Sequence, residues 1–130
     1  MNYLTLLEIA DLLAELLDTE SVTAGCIDTS YSKTIGVYQR EEFIPRECIG
    51  TESSYETAKI RILVHWNENP TETESKATEI AELFSSFENM ETENHIIKFA
   101  EVTAIRSIGK DEKGICEYII DTDIIYTERS

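Results

Sequence analysis

The stretch Tyr55-Glu-Thr-Ala-Lys-Ile-Arg-Ile-Leu-Val-His-Trp66 runs through Asn67-Glu-Asn-Pro70 into Thr71-Glu-Thr-Glu-Ser-Lys-Ala-Thr-Glu-Ile-Ala-Glu-Leu-Phe-Ser-Ser-Phe87, and its reading decides the fold. Apolar residues alternate at Ala58, Ile60, Ile62, Val64 and Trp66, the period of two of a strand with one buried face. Leu63 on the opposite side implies that the other face is partly covered. After a short polar loop, Asn67 to Pro70, the period changes. Ala77, Ile80, Ala81, Phe84 and Phe87 recur at helical spacing. Thr71 and Glu74 have the spacing of a capping box, placed just after Pro70 breaks the strand. A strand feeding a helix that folds back over it is the core of a small α+β domain.

Toward the N-terminus, Met1 to Asp18 predicts a helix capped by Asn2. Glu8, Asp11, Glu15 and Asp18 form one narrow polar stripe, and nearly everything else is apolar. Such a wide apolar surface belongs either to a helix enclosed in its own fold or to one that meets a second subunit. Val22 to Ile27, with Gly25 inside it, and Thr34 to Tyr38 read as short strands, joined by a polar connector at Ser30 to Lys33. Phe43 to Gly50 contains Pro45 and reads as a loop or edge segment. Beyond the helix, Glu88 to Asn94 is a polar connection. His95 to Arg106 is a strand with Ile97 and Phe99 on one side and Ala100, Val102 and Ala104 on the other. Ile108 to Gly114 is a hairpin loop with a glycine near each end. Ile115 to Glu128 reads as the longest strand, with Cys116, Tyr118, Ile120, Thr122, Ile124 and Tyr126 on one face and Glu117, Asp121 and Asp123 on the other. The order α-β-β-β-α-β-β predicts one α+β domain over residues 1–130, a mixed or antiparallel sheet flanked by two helices.

The chain has 130 residues, 26 acidic against 11 basic, for a formal net charge of −15. A basic patch of the kind that grips phosphate is not visible, which argues against specific nucleic-acid binding, and an anionic membrane would repel this surface. The acidity serves solubility or keeps a surface from sticking to DNA that lies near it. Cys26, Cys48 and Cys116 are odd in number and widely spaced, unlike a disulfide framework or a zinc site. No basic-then-apolar secretory leader is seen, and the apolar N-terminal stretch carries Glu8, Asp11 and Glu15, so it does not span a bilayer. A reducing cytosol is the expected setting.

The chemistry-bearing residues do not assemble into an active site. His65 and His95 are the two histidines, and the plainer account of His65 beside Trp66 is a structural strand histidine. Asp121 with Asp123, and Asp111 with Glu112, lack the ligand spacing of a calcium loop, and acids at sheet edges commonly block edge pairing. Gly109 to Gly114 joins strand to strand and lacks the Gly-Lys-Ser/Thr of a phosphate loop. No cofactor and no catalysis are expected.

Three stretches together carry a resemblance: Lys33-Thr-Ile-Gly-Val-Tyr38; Ala58-Lys-Ile-Arg-Ile-Leu-Val-His-Trp-Asn67, followed by Glu-Thr-Glu and a helix; and Ile108-Gly-Lys-Asp-Glu-Lys-Gly-Ile-Cys-Glu-Tyr118. From about Thr29 onward the chain resembles small minor capsid proteins encoded in the head-to-tail region of long-tailed phages and prophages, a group similar to the tail terminator, or tail-to-head joining, family. The resemblance implies a structural protein of the virion's head-tail junction, made in the host cytoplasm. It implies a six-fold ring that caps the tail tube, with the tail-tube protein and a head-completion protein as partners. A wide apolar helix suits a subunit contact in a closed ring, and net negative charge suits a lumen through which DNA slides. The family carries no active-site residues, so the candidates are interface residues: Leu6, Leu13 and Leu17 on the N-terminal helix, Tyr31, Arg40 and Phe43 in loops, and Lys110, Asp111 and Lys113 in the hairpin. Competing classes are a head-side connector, a small α+β enzyme or metal protein, and a soluble acidic regulatory module that mimics DNA. Mimicry predicts binding to a basic partner that weakens with salt, whereas ring assembly predicts apolar contacts that survive it.

Overall fold

The computed structural model describes residues 3–17, 21–27, 33–40 and 55–128. Its elements are α1 (Leu6–Leu17), β1 (Val22–Ala24), β2 (Thr34–Gln39), β3 (Glu56–His65), α2 (Pro70–Ser85), β4 (Met90–Glu91), β5 (His95–Lys110) and β6 (Cys116–Glu128). The architecture is α+β, as expected, with a mixed six-stranded sheet ordered β1-β2-β3-β6-β5-β4. Only β1 and β2 run parallel; every other pair is antiparallel.

The alternation in β3 does what its period dictates. Ile60, Ile62 and Val64 are buried, and the register sets them opposite Thr122, Ile120 and Tyr118 of β6. Ile35 and Val37 of β2 continue this face beside Val64 and Ile62. Both helices cover it: α1 lies against β1 and β2, and α2 lies against β3, β5 and β6. One core results, joining Ile9 and Leu13 of α1 to Ile80 and Phe84 of α2 through the sheet. Phe84 and Phe87 meet edge to face at 5.3 Å, a preferred aromatic geometry.

Several local expectations are corrected. The start of α2 is not a Thr71–Glu74 capping box. Asn69 is the cap, its side chain accepting the Thr71 and Glu72 backbone N–H groups, and Pro70 is the first helical residue. Proline is suited to that position because its missing N–H would be unsatisfied there anyway. α1 begins at Leu6, with Thr5 Oγ1 accepting the Glu8 N–H at 3.1 Å; the chain before it is drawn to the sheet, where the Leu4 backbone hydrogen-bonds the Tyr126 hydroxyl. Asn2 and Asp18 lie outside the described residues. β1 stops at Ala24, because Gly25 takes φ of +82°, a left-handed turn that glycine adopts without steric cost.

β5, not β6, is the longest strand. Its sides also differ from the simple alternation. Register shifts fall between Ile97 and Phe99, Val102 and Ala104, and Ser107 and Gly109. Each extra residue resets which side chains share a face. Ile97 therefore joins Ala100 and Val102 on the helix side, while Phe99 turns to the other face.

Candidate assembly interface

The hairpin between β5 and β6 is built around Asp111. One carboxylate oxygen accepts the backbone N–H groups of Lys113 and Ile115 at 2.8 and 2.9 Å. The other lies 2.7 Å from Nε2 of His65, at the end of β3. Gly114 closes the turn at φ +82°, its N–H donating to the Asp111 carbonyl at 3.0 Å. The hydrogen bond from His65, then those from the Ile115 and Lys113 backbone, hold the Asp111 carboxyl below the usual aspartate range. Glu117, opposite His65 in the register, is pushed up by burial, and the Asp111 charge adds to the rise. His65 is thus a buried structural histidine that fastens the hairpin to the sheet.

The other histidine plays a matching part at the opposite end of the sheet. His95 is fully buried, its Nδ1 2.9 Å from Oε2 of Glu8 and its ring edge-on to Tyr126. The same glutamate oxygen accepts from the Thr92 hydroxyl at 2.9 Å and the Asn94 N–H at 3.3 Å. Glu8, expected on a solvent stripe, instead ties α1 to the β4–β5 turn. Burial raises its pKa, but the His95 and Thr92 hydrogen bonds outweigh that, and the net shift is downward.

The predicted interface residues fall into distinct places. Leu13 is 0% exposed, and Leu6 and Leu17 pack half-buried against the same core. Leu13 has no surface to offer to another chain, while Leu6 and Leu17 keep part of theirs. The exposed leucines of α1 are Leu7 and Leu16, at 61% and 39%. Arg40 pairs with Asp123 across the sheet. Lys110, Asp111 and Lys113 come together at the hairpin. Tyr31 and Phe43 lie outside the described residues. On the sheet face away from the helices, Arg61 binds Asp121 through two bonds of 2.7 and 3.2 Å, and Arg61 in turn lowers the Asp121 pKa. No group of three or more His, Cys, Asp or Glu side chains placed to hold a metal ion occurs among the described residues.

Sequence reading missed the open outer edge of β5. β4 pairs only with Ile96 and Ile97, and the Asn89 N–H donates to the Lys98 carbonyl. From Phe99 to Lys110 no strand among the described residues lies along that edge. Phe99, Ile105 and Ile108 are 51%, 44% and 48% exposed there. A long open edge with exposed apolar side chains is a ready template for another chain. Residues 98–113 hold four of the eleven basic side chains, Lys98, Arg106, Lys110 and Lys113, but also Glu101, Asp111 and Glu112, so composition alone gave no signal of it.

The described residues thus form an α+β fold whose two histidines are held by carboxylates and whose β5 edge is open. The chain belongs to the bacteriophage tail terminator protein family, whose sequence model matches residues 4–128. This bears out the resemblance carried by Lys33–Tyr38, Ala58–Asn67 and Ile108–Tyr118. The family is structural, so the protein has a phage tail-associated structural role as a virion component. No curated protein matches the chain. Among the described residues, no helix is long and apolar enough to cross a membrane.

Proposed function

We propose that this protein closes into a ring, a hexamer, on the end of the tail tube. There it stops tube growth and presents a surface to a head-completion protein, and it performs no catalysis. The observation that carries the reading is the match to the tail terminator family over almost the whole chain. The open β5 edge supports it, because a protein that must join copies of itself and a tube needs surface that its own fold leaves unused. The excess of acids supports it as well, since a lumen that carries DNA must not bind it.

The test is deletion of the gene from its phage or prophage, followed by electron microscopy of the particles. The proposal expects tails of uncontrolled length detached from heads, with normal particles restored by the intact gene. Tails of normal length beside DNA-filled, tailless heads would instead identify a head-side connector, the closest competing role. Unaltered virions would remove the junction role altogether.

A further inference from the structure

The open run of β5 carries Phe99, Ile105 and Ile108, three of the large apolar side chains exposed among the described residues. The register shifts divide it into two regular runs, 99–102 and 104–107, with a change of phase at Thr103. Read across to β6, Phe99, Glu101, Ala104 and Arg106 therefore share the sheet face away from the helices, while Ala100, Val102, Ile105 and Ser107 share the helix face. The two charges on the outer face are exposed, and neither makes an ion pair among the described residues. Glu101 stands opposite Asp123, and like charges directly opposite destabilise a strand pair. Arg106 stands opposite Ile119 and contributes only its field to Asp121, whose carboxylate Arg61 already binds. Each of the two lacks what the other has.

We propose that a second copy of this chain pairs antiparallel with this edge, about a two-fold axis between Thr103 and Ala104, so that the two six-stranded sheets run on as one. In that register Glu101 of each copy faces Arg106 of the other on the same sheet face, and the ion pair forms twice. Val102 faces Ile105 and Phe99 faces Ile108, so every exposed apolar side chain of the edge gains an apolar neighbour. Opposite residues must point to one face, and the phase change at Thr103 restricts the alignments that satisfy this. Sliding one permitted step either way puts Glu101 opposite Ala104 or Ile108 and loses both ion pairs. The pairing ends at Phe99 and Ile108: the Asn89 N–H already takes the Lys98 carbonyl, and Gly109 turns the chain at φ +95°. The occupant is a second copy because the edge is complementary to itself, whereas β1, at the other side of the sheet, has three residues and cannot match its length. An isologous contact joins two copies and stops. It goes beyond the ring reading, which needs a head-to-tail contact elsewhere, and it shields an edge that otherwise templates aggregation.

Charge exchange tests this on the full chain, with mass read by light scattering over a concentration series. The native chain should reach at least the dimer. Glu101→Arg alone, or Arg106→Glu alone, sets like charges opposite each other twice and should weaken that association about tenfold or more. The chain carrying both changes should recover native affinity, a rescue that requires the two positions to face each other across the contact. Circular dichroism checks folding. Ile105→Glu, which sets a carboxylate against Val102 in both directions, replaces a single variant that does not fold and should weaken the dimer as much. A native chain that stays monomeric up to about millimolar concentration, single changes that leave the mass unaltered, or a doubly changed chain that stays dissociated would each overturn the contact. The ring stands or falls separately, on the gene deletion.

Discussion

Replacing Leu13 by alanine separates a core helix from an interface helix. The side chain is 0% exposed and packs in the cluster that joins α1 to the sheet. The change deletes three carbons, worth about 2.4 kcal/mol of transfer at about 0.8 kcal/mol each. The cavity left behind adds about 1 kcal/mol, for a total of about 3–4 kcal/mol, within the range of buried leucine truncations. With a urea m-value of about 1.5–2 kcal/mol/M for a domain of this size, the unfolding midpoint should fall by about 2 M. The control is Leu7→Ala on the same helix, where exposure of 61% predicts a change within about 0.5 kcal/mol. Both should be measured by urea denaturation at one low protein concentration, so that association does not contribute. A Leu13→Ala midpoint equal to that of Leu7→Ala, together with lost self-association, would refute the core placement.

Three further outcomes are expected. Glu8 has its pKa lowered in the folded chain, so its contribution is fully present above the ordinary glutamate value and is lost as pH falls through the lower folded value; acid titration of Glu8→Gln should show a shallower loss of stability below about pH 4 than the native chain, and an unchanged acid limb would exclude the latch. The Thr122 hydroxyl is buried without a hydrogen-bond partner, so Thr122→Val, which keeps the shape, should raise the thermal midpoint by the equivalent of about 1 kcal/mol; a lower midpoint would show that the hydroxyl is satisfied. Asp111→Ala removes the acceptor of two backbone N–H groups and of His65, so hydrogen exchange should quicken at Lys113 and Ile115 while the centre of β3 stays protected. Uniform exchange across the sheet would mean that the turn is not a separate unit.

The parts of the fold legible in the sequence are those set by burial over many residues. β3, α2 and β6 follow the hydrophobic period because one face of each must reach a common core. The tail terminator resemblance was legible for a different reason, since it rested on short stretches of loop and strand. What was not legible depends on single atoms or single residues. A period-two count cannot see the register shifts in β5, so it put Phe99 beside Ile97. The Thr71–Glu74 spacing imitated a capping box while Asn69 made the actual bonds. Glu8 satisfied a helical stripe and was consumed by His95, eighty-seven positions away in sequence. The width of the α1 apolar surface does not say which side is covered; that Leu13 is buried and Leu7 exposed follows from the direction from which the sheet approaches.

The internal bonds also indicate where a partner can bind. His95 with Glu8 fastens α1 at one end of the sheet, and His65 with Asp111 fastens the hairpin at the other. Between them, Arg61 with Asp121 and Arg40 with Asp123 knit the face away from the helices. Docking a neighbour across that face would disturb charges already paired, and separating a partly buried pair costs more than the pair contributes. The β5 edge has no such obstacle. Its backbone groups beyond Lys98 meet no strand among the described residues, and its isoleucines gain free energy when covered. A hairpin whose turn is held to β3 by Asp111 and His65 also reaches the bound shape without a large ordering cost, which favours association. A turn fixed to the sheet and an open edge along the strand that leads to it are what a subunit needs to recognise the next one, and the geometry places both on the same hairpin.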